Sequence, residues 1–367
     1  MRNILLLFVL AGGAGAQSQS AVIAGAPIRQ ARTAIALSEK LLQQGDYPAA
    51  EAALAGALRD LGQGPDEHNL ARAALLCNLG VIRHNLGRYH EAVERNREAA
   101  HVDQEYLASR NLTGEYADGY SAHNLHFLWA SLMMEGRNVE AMEAARNLAA
   151  TIIVEEARKD RWKELYLPTP IFSMIRFGRW EEMLREPAPP KGLRLLEGMW
   201  RLGRGLALVA TGRLPGAEGE HVVLAGLTKR IRRDHTTEEK TERMLLKIAE
   251  RILAGELAAR RQHYDDAIRL LEEAVKMEET LQYSEPPLWP LSVRHHLGAV
   301  LLLADRPSQA EAVYHADLLR HPDNGWALIG LIQSLRAQQK DDQAAEAEER
   351  FKKVWAHADF IPAASRM

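Results

Sequence analysis

Apolar residues recur along the chain at the spacing of an amphipathic α-helix. In one stretch, the apolar positions that follow this spacing are Ile252, Leu253, Leu257, Ile268, Leu271 and Val275. No comparable segment alternates apolar and polar residues in the way that a half-buried strand requires. The pattern predicts an all-α chain of paired helices. Neighbouring pairs must stack, because one pair cannot bury its apolar stripe alone.

A short sequence motif recurs along the helical pattern. In most copies, a turn residue is followed two positions later by an aromatic or apolar residue and five positions later by alanine. The turn residues are Gly45, Gly87, Gly136, Gly178, Gly212, Gln262, Asp305 and Gln339. A residue of this kind ends a helix in the left-handed backbone conformation, and the alanine lets two helices approach closely. Small residues seven positions before the turn are expected to face that alanine: Ser38, Gly80, Gly205, Gly255 and Gly298.

Because of these recurring motifs, the chain resembles tetratricopeptide repeat proteins over most of its length. Gly298, Ala310, Tyr314 and Pro322 fit the repeat consensus, and the strings HNLHF, RFGRW and EPPLWP resemble an exported bacterial group of such proteins. The resemblance implies an α-solenoid of about eight antiparallel helix hairpins in a right-handed superhelix. Our working hypothesis is an exported scaffold, not an enzyme, that binds a protein or peptide partner in its concave groove.

The beginning of the chain resembles a processing signal. Arg2 precedes an apolar run from Ile4 to Leu10 and then small residues up to Ala16. We therefore expect a signal peptide at residues 1–16, a disordered stretch at 17–26, and export to the periplasm or the extracellular space. No later segment is apolar for long enough to span a bilayer.

Prolines at positions 187, 189 and 190 predict a division of the repeats into two stacks. The first stack would comprise residues 27–187, with repeats 1–4, and the second residues 191–358, with repeats 5–8. A frayed tail is expected at residues 359–367.

Charge and motifs narrow the classes of function. The chain has 46 basic and 49 acidic residues, mixed along its length, so no positive strip exists to follow a nucleic-acid backbone. Phosphate-binding loops, nucleophile elbows, metalloprotease pairs and dinucleotide fingerprints are absent from the sequence. We expect no catalytic residue and no cofactor.

His123 and His126 form the main candidate constellation. Residues three apart share a face of a helix, so both imidazoles could reach one ion or one carboxylate. Three interpretations stay open: packing between hairpins, recognition of a peptide or small ligand, and a divalent metal site with a ligand-binding or hydrolytic role. Zinc needs at least three protein ligands, so a metal site would require His84, His295, Asp118 or Glu115 as well.

Position within the repeat predicts which side chains line the partner groove. The groove candidates are Cys77, His84, His123, His126, Met133, Met199, Arg260, Trp289 and His295. Trp289, which is flanked by prolines, is expected to be the exposed aromatic residue of this set.

Overall fold

The computed structural model describes residues 26–62, 69–110, 121–230, 236–282 and 284–367. Within these ranges the chain is helical and contains no β-strand. The helices are α1 (Ala26–Gln43), α2 (Tyr47–Leu61), α3 (Asn69–Asn85), α4 (Tyr89–Arg110), α5 (Ala122–Glu135), α6 (Asn138–Thr151), α7 (Val154–Ala157), α8 (Arg161–Glu164), α9 (Thr169–Arg176), α10 (Trp180–Arg185), α11 (Arg194–Ala210), α12 (Leu214–Arg230), α13 (Thr237–Arg260), α14 (Tyr264–Glu279), α15 (Val293–Leu303), α16 (Pro307–Arg320), α17 (Gly325–Ala337) and α18 (Asp341–Val354). The predicted all-α class is confirmed.

The eight predicted turn residues each join two helices of a hairpin. All eight have positive φ angles, from 57° at Asp305 to 78° at Gly45. Five of them are glycines, which adopt this conformation without a steric penalty. The helix pairs that result are α1–α2, α3–α4, α5–α6, α9–α10, α11–α12, α13–α14, α15–α16 and α17–α18.

The alanine of each such motif lies in the core of its hairpin. These alanines are at most 2% exposed: Ala50, Ala92, Ala141, Ala217, Ala267, Ala310 and Ala344. The preceding small residue was expected to face the alanine. A side chain on Gly255 would meet Leu271 and, at 3.5 Å, the backbone carbonyl of Ala267, whereas one on Gly298 would meet Tyr314. Leu271 and Tyr314 each lie four residues beyond the alanine of their hairpin. One helical turn separates the two positions, so the predicted helix face is right.

The chain divides into two compact units, one ending at Ser131 and the other beginning at Leu132. This boundary lies inside α5 and not at the prolines near position 190, where the sequence predicted it. In the second unit, Trp355 at the end of α18 packs against the turn at Gly136. The contact is so close that a side chain on Gly136 would lie 2.3 Å from the tryptophan ring. The predicted signal peptide and the stretch that follows it lie outside the described residues.

Residues 359–367, which we call the closing segment, pack against the second unit instead of fraying. Ser365 is fully buried. Asp359 accepts hydrogen bonds from the backbone N–H groups of Asn138 (2.5 Å) and Val139 (3.0 Å), and so caps the first turn of α6. Among the described helices, none has the length and apolar character needed to cross a membrane.

Candidate partner-binding face

The first helices of successive hairpins line one side of the second unit. We call the side formed by α9, α11, α13, α15 and α17 the inner face. A small cavity of about 40 Å³ lies on this face, and Arg176, Glu256, His295 and Arg366 contribute to its lining. The charged side chains of this lining belong to two hydrogen-bonded or ion-paired groups.

The first group is centred on His295. Arg176 Nη1 lies 3.0 Å from Nδ1 of His295, and Nε2 of the same ring lies 3.1 Å from Asp317 Oδ2. A guanidinium can only donate, so Nδ1 must accept and the ring proton must be on Nε2, facing the carboxylate. His295 is therefore a neutral bridge between a buried cation and a buried anion.

Further donors hold the Asp317 carboxylate in place. Ser292 Oγ donates to Oδ1 (2.5 Å) and Asn324 Nδ2 donates to Oδ2 (2.8 Å). Burial alone would raise the pKa of Asp317, but the hydrogen bonds and the neighbouring histidines hold that pKa well below its usual range. Burial lowers the pKa of His295 to about 4, with Asp317 opposing the shift, so the ring stays neutral near pH 7.

Arg176 is stacked as well as hydrogen-bonded. Its guanidinium lies 4.7 Å from the centre of the Trp326 ring, an arrangement that stabilises a cation by its attraction to the π-face. Burial lowers the pKa of Arg176 to about 9, so the group keeps its charge at neutral pH. Trp326 is itself fully buried and donates from Nε1 to the carbonyl of Met133 (3.0 Å).

The second charged group joins α13, α15 and the closing segment. His296 Nδ1 donates to Glu256 Oε1 (2.6 Å), and Arg366 Nε forms an ion pair with the same oxygen at 3.1 Å. Glu256 is only 4% exposed. Burial would raise the pKa of Glu256, but the charge of Arg366 and the bond from His296 hold it below the usual value, so the site contains a buried carboxylate.

The histidines predicted in the first unit lie on α5, where aromatic rings surround them. The His123 ring meets Phe127 edge-on at 5.1 Å, and the His126 ring stacks on Trp129 at 5.4 Å. Burial lowers the pKa of His123 to about 4 and, together with the charge of His123, that of His126 to about 3. Both rings are therefore neutral near pH 7.

Neither histidine of α5 belongs to a three-ligand cluster among the residues that the structure describes. Of the other proposed ligands, His84 is buried, and its Nδ1 lies 3.0 Å from Ser131 Oγ. Asp118 and Glu115 lie outside the described residues.

The remaining groove candidates are mostly buried. Cys77, Met133, Met199 and His295 are at most 3% exposed, whereas Arg260 is exposed. The predicted exposure of Trp289 is wrong. That side chain is 3% exposed, and its Nε1 donates to the carbonyl of Leu291 (2.8 Å), because the proline-flanked bend folds the ring inward.

Sequence reasoning missed several residues that build the inner face. Arg176 is part of the RFGRW string, but its partner His295 is 119 residues away. Asp317 lies on a second helix, α16, where the repeat register gave no reason to select it. One signal in the sequence could have indicated the burial of Tyr314. Gly298 and Gly330 lie at equal distances before and after this residue, and both glycines leave room for its ring.

Comparison with known proteins supports the repeat. Residues 252–320, which cover most of α13 to α16, match the sequence model of the tetratricopeptide repeat family. The predicted resemblance to these repeats is confirmed. No curated protein sequence matches the chain.

Three of the solved structures that are similar to the chain share between 9% and 14% of its sequence. A tetratricopeptide repeat protein from Parabacteroides merdae shares 14% identity, with a TM-score of 0.32, over 89% of this chain and 98% of that chain. The apo quorum sensor NprR from B. thuringiensis shares 9%, with a TM-score of 0.41, over 88% and 87%. The TPR2AB domain of yeast Sti1, in its complex with pHSP90, shares 12%, with a TM-score of 0.28, over 89% and 98%.

Proposed function

We propose that this chain is a non-enzymatic scaffold that binds an extended segment of a protein or peptide partner on the inner face of its second unit. The observation that carries the proposal is the closing segment. Residues 359–367 have no helical structure, and part of this segment already lies on this face, where it contacts side chains of α13 and α17. A face that holds one extended segment has the geometry to hold another.

The contacts are of the kind that grooves use to recognise extended peptides. Gln333 Nε2 donates to the carbonyl of Ala363 (2.8 Å), and Trp355 Nε1 donates to the carbonyl of Phe360 (2.6 Å). Hydrogen bonds to the main chain fix an extended segment whatever its sequence, and a few buried side chains then provide specificity.

The charged groups support binding over catalysis. In His295 one ring nitrogen accepts from Arg176 and the other donates to Asp317, so neither is left for proton transfer to a substrate. Its pKa of about 4 is also far from the neutral range in which a general base works best. The alternative role around His123 and His126 is not favoured, because among the residues that the structure describes neither histidine belongs to a cluster of three metal ligands.

Peptide selection on the full chain tests the proposal. A displayed peptide library is panned against the native chain and against Phe360→Ala, which weakens the closing segment and leaves the helices of the inner face unchanged. We expect selected peptides to lose about tenfold in affinity when Gln333→Ala removes the main-chain donor, equivalent to one lost hydrogen bond of about 1.4 kcal/mol. Gln343→Ala on the exposed surface of α18 is the matched control.

Equal affinity for Gln333→Ala and Gln343→Ala would place the binding surface elsewhere. Failure to select any peptide on either form of the chain would remove the proposal altogether.

We also propose that the scaffold acts outside the cytoplasm. The proposal rests on Arg2, the apolar run from Ile4 to Leu10 and the small residues up to Ala16. N-terminal sequencing of the protein from the periplasmic and culture fractions should give a first residue close to position 17. Recovery only from the cytoplasm, with Met1 retained, would contradict export.

A further inference from the structure

We propose that residues 360–366 are an intramolecular ligand of the inner face, which a partner must displace. The partner segment would carry an aromatic residue followed, five and six positions later, by serine and arginine. This inference rests on the proposed function and specifies both its ligand and its regulation. Three anchors of the closing segment define the chemistry.

The aromatic anchor is Phe360. Its ring lies 5.3 Å from Phe177 and 5.8 Å from Trp326, both of which are buried residues of the inner face. Aromatic pairs at these distances favour offset and edge-to-face contacts over loose apolar packing. Because Trp326 also stacks on Arg176, a ring at this site completes a layered arrangement of rings and guanidinium. The site therefore selects an aromatic side chain.

The hydroxyl anchor is Ser365. Its Oγ donates to the carbonyl of His295 (2.9 Å) and accepts from the hydroxyl of Tyr314 (2.8 Å). Tyr314 is fully buried between Gly298 and Gly330, where an added side chain on either glycine would lie within 2.4 Å of its ring. A buried hydroxyl without a partner is costly, so an occupant of this site must supply an acceptor.

The basic anchor is Arg366. Its Nε pairs with Glu256, a carboxylate that is 4% exposed and that also accepts a hydrogen bond from His296. Removing Arg366 would leave this buried carboxylate without its guanidinium, and uncompensated buried charge strongly disfavours such a state. A displacing segment must therefore return a cation to this position.

Between the anchors the side chains of the closing segment are only partly covered. Ile361 is 91% exposed and Ala363 is exposed as well, whereas Pro362 is buried and the carbonyl of Ala363 accepts from Gln333. Among the described residues, positions 359–367 make no backbone-to-backbone hydrogen bond. Opening the segment breaks the contacts of its three anchors and the Asp359 cap, but it leaves the helices paired. The segment can therefore open locally without unfolding of the repeats.

A competition experiment with the full chain tests the inference. The probe is a fluorescein-labelled peptide with the sequence of residues 357–367, and its binding is followed by fluorescence polarisation. In an opened chain, Phe360→Ala with Arg366→Ala, two anchors are lost. A face that is closed 99% of the time binds about 100-fold more weakly than its open form, so we expect the opened chain to bind the probe at least about tenfold more tightly than the native chain.

Control variants distinguish the loss of anchor contacts from a nonspecific destabilisation of the closing segment. Ile361→Ala alters the same segment at an exposed position and should bind the probe as the native chain does. Adding Glu256→Gln to the opened chain should weaken the probe about tenfold, and should make the affinity insensitive to replacing the probe's arginine by alanine.

A locked chain provides a test that does not depend on the stability of the opened variant. Gln333→Cys and Ala363→Cys are bridged by a short bismaleimide, and the only native cysteine, Cys77, is buried. Before bridging, this chain already lacks the Gln333 donor, so its own affinity for selected peptides is the reference value. After bridging it should bind them at least about tenfold more weakly.

The outcomes distinguish the two proposals. If the native and opened chains bind selected peptides equally, and bridging does not change the affinity of the locked chain, the face binds peptides but the closing segment does not compete, and this inference alone fails. If no form binds the probe or any selected peptide, both proposals fail. A dimer in light scattering, with the segment exchanged between copies, would also overturn the intramolecular role.

Discussion

Replacing Arg176 by methionine tests the buried network most directly. Methionine keeps much of the apolar length of arginine but removes the guanidinium, with its hydrogen bond to His295 and its stacking on Trp326. The negative charge of Asp317 then stays buried without its cation. Breaking a buried pair by removing one partner costs about 3–5 kcal/mol, and we expect Arg176→Met to destabilise the second unit by that amount.

The companion change is Asp317→Asn, which removes the charge but keeps the size of the side chain. Alone it leaves the charge of Arg176 buried, so it should also be strongly destabilising. Together the two changes remove both charges, while His295 stays neutral between them. We expect the double variant to be more stable than the sum of the single effects predicts, with a coupling of about 1–3 kcal/mol.

Urea unfolding followed by tryptophan fluorescence measures these effects. Six of the seven tryptophans lie in residues 132–367, so the signal reports mainly on the second unit. Arg185→Met, at an exposed arginine, is the control and should change stability by less than about 0.5 kcal/mol. The reasoning is refuted if Arg176→Met costs under about 1 kcal/mol, or if the two single effects add within about 0.5 kcal/mol.

Three further predictions follow from other parts of the chain. Gly298→Ala would place a methyl group 2.4 Å from the Tyr314 ring and should lower the free energy of unfolding by about 1–3 kcal/mol in urea titrations, whereas Gly219→Ala, which meets open space, should not lower it. Burial holds the folded-state pKa of His123 at about 4 and that of His126 at about 3, below the ordinary value of 6.5, so their contribution to stability should be complete above about pH 6.5 and lost as the pH falls through 4. Urea unfolding monitored by circular dichroism at several pH values checks this, and His126→Phe should flatten the slope. Elemental analysis before and after chelation should show the same metal content for the native chain and for His123→Ala. Stoichiometric metal that chelation removes from the native chain, and that is absent from His123→Ala, would revive the metal-site hypothesis.

The repeat was predictable because its signals are local. A residue such as Gly136 or Gln262 shows its left-handed conformation through its place between two helical patterns, and Ala267 shows its burial through its spacing from the turn. These signals require no knowledge of distant parts of the chain. The turns and the buried alanines were therefore found from the sequence.

The inner face was not predictable in the same way, because its contacts join distant positions. His295 was selected from its register, but Arg176, 119 residues earlier, could not be chosen as its partner. The closing segment has no helical periodicity and was therefore expected to fray. What holds it is a set of complementary sites, such as Tyr314 and Glu256, whose arrangement exists only after the hairpins have stacked.

The charge of the inner face bears on the kind of partner that we propose for it. With the closing segment in place, Arg176 and Arg366 balance Asp317 and Glu256. Without the segment, one buried negative charge is left in excess. A basic segment restores the balance, whereas an acidic one would add a second uncompensated anion beside Glu256. Selectivity therefore comes from repulsion of wrong partners as much as from attraction of the right one. Because the site is buried, added salt should weaken this discrimination far less than it weakens pairing between exposed charges.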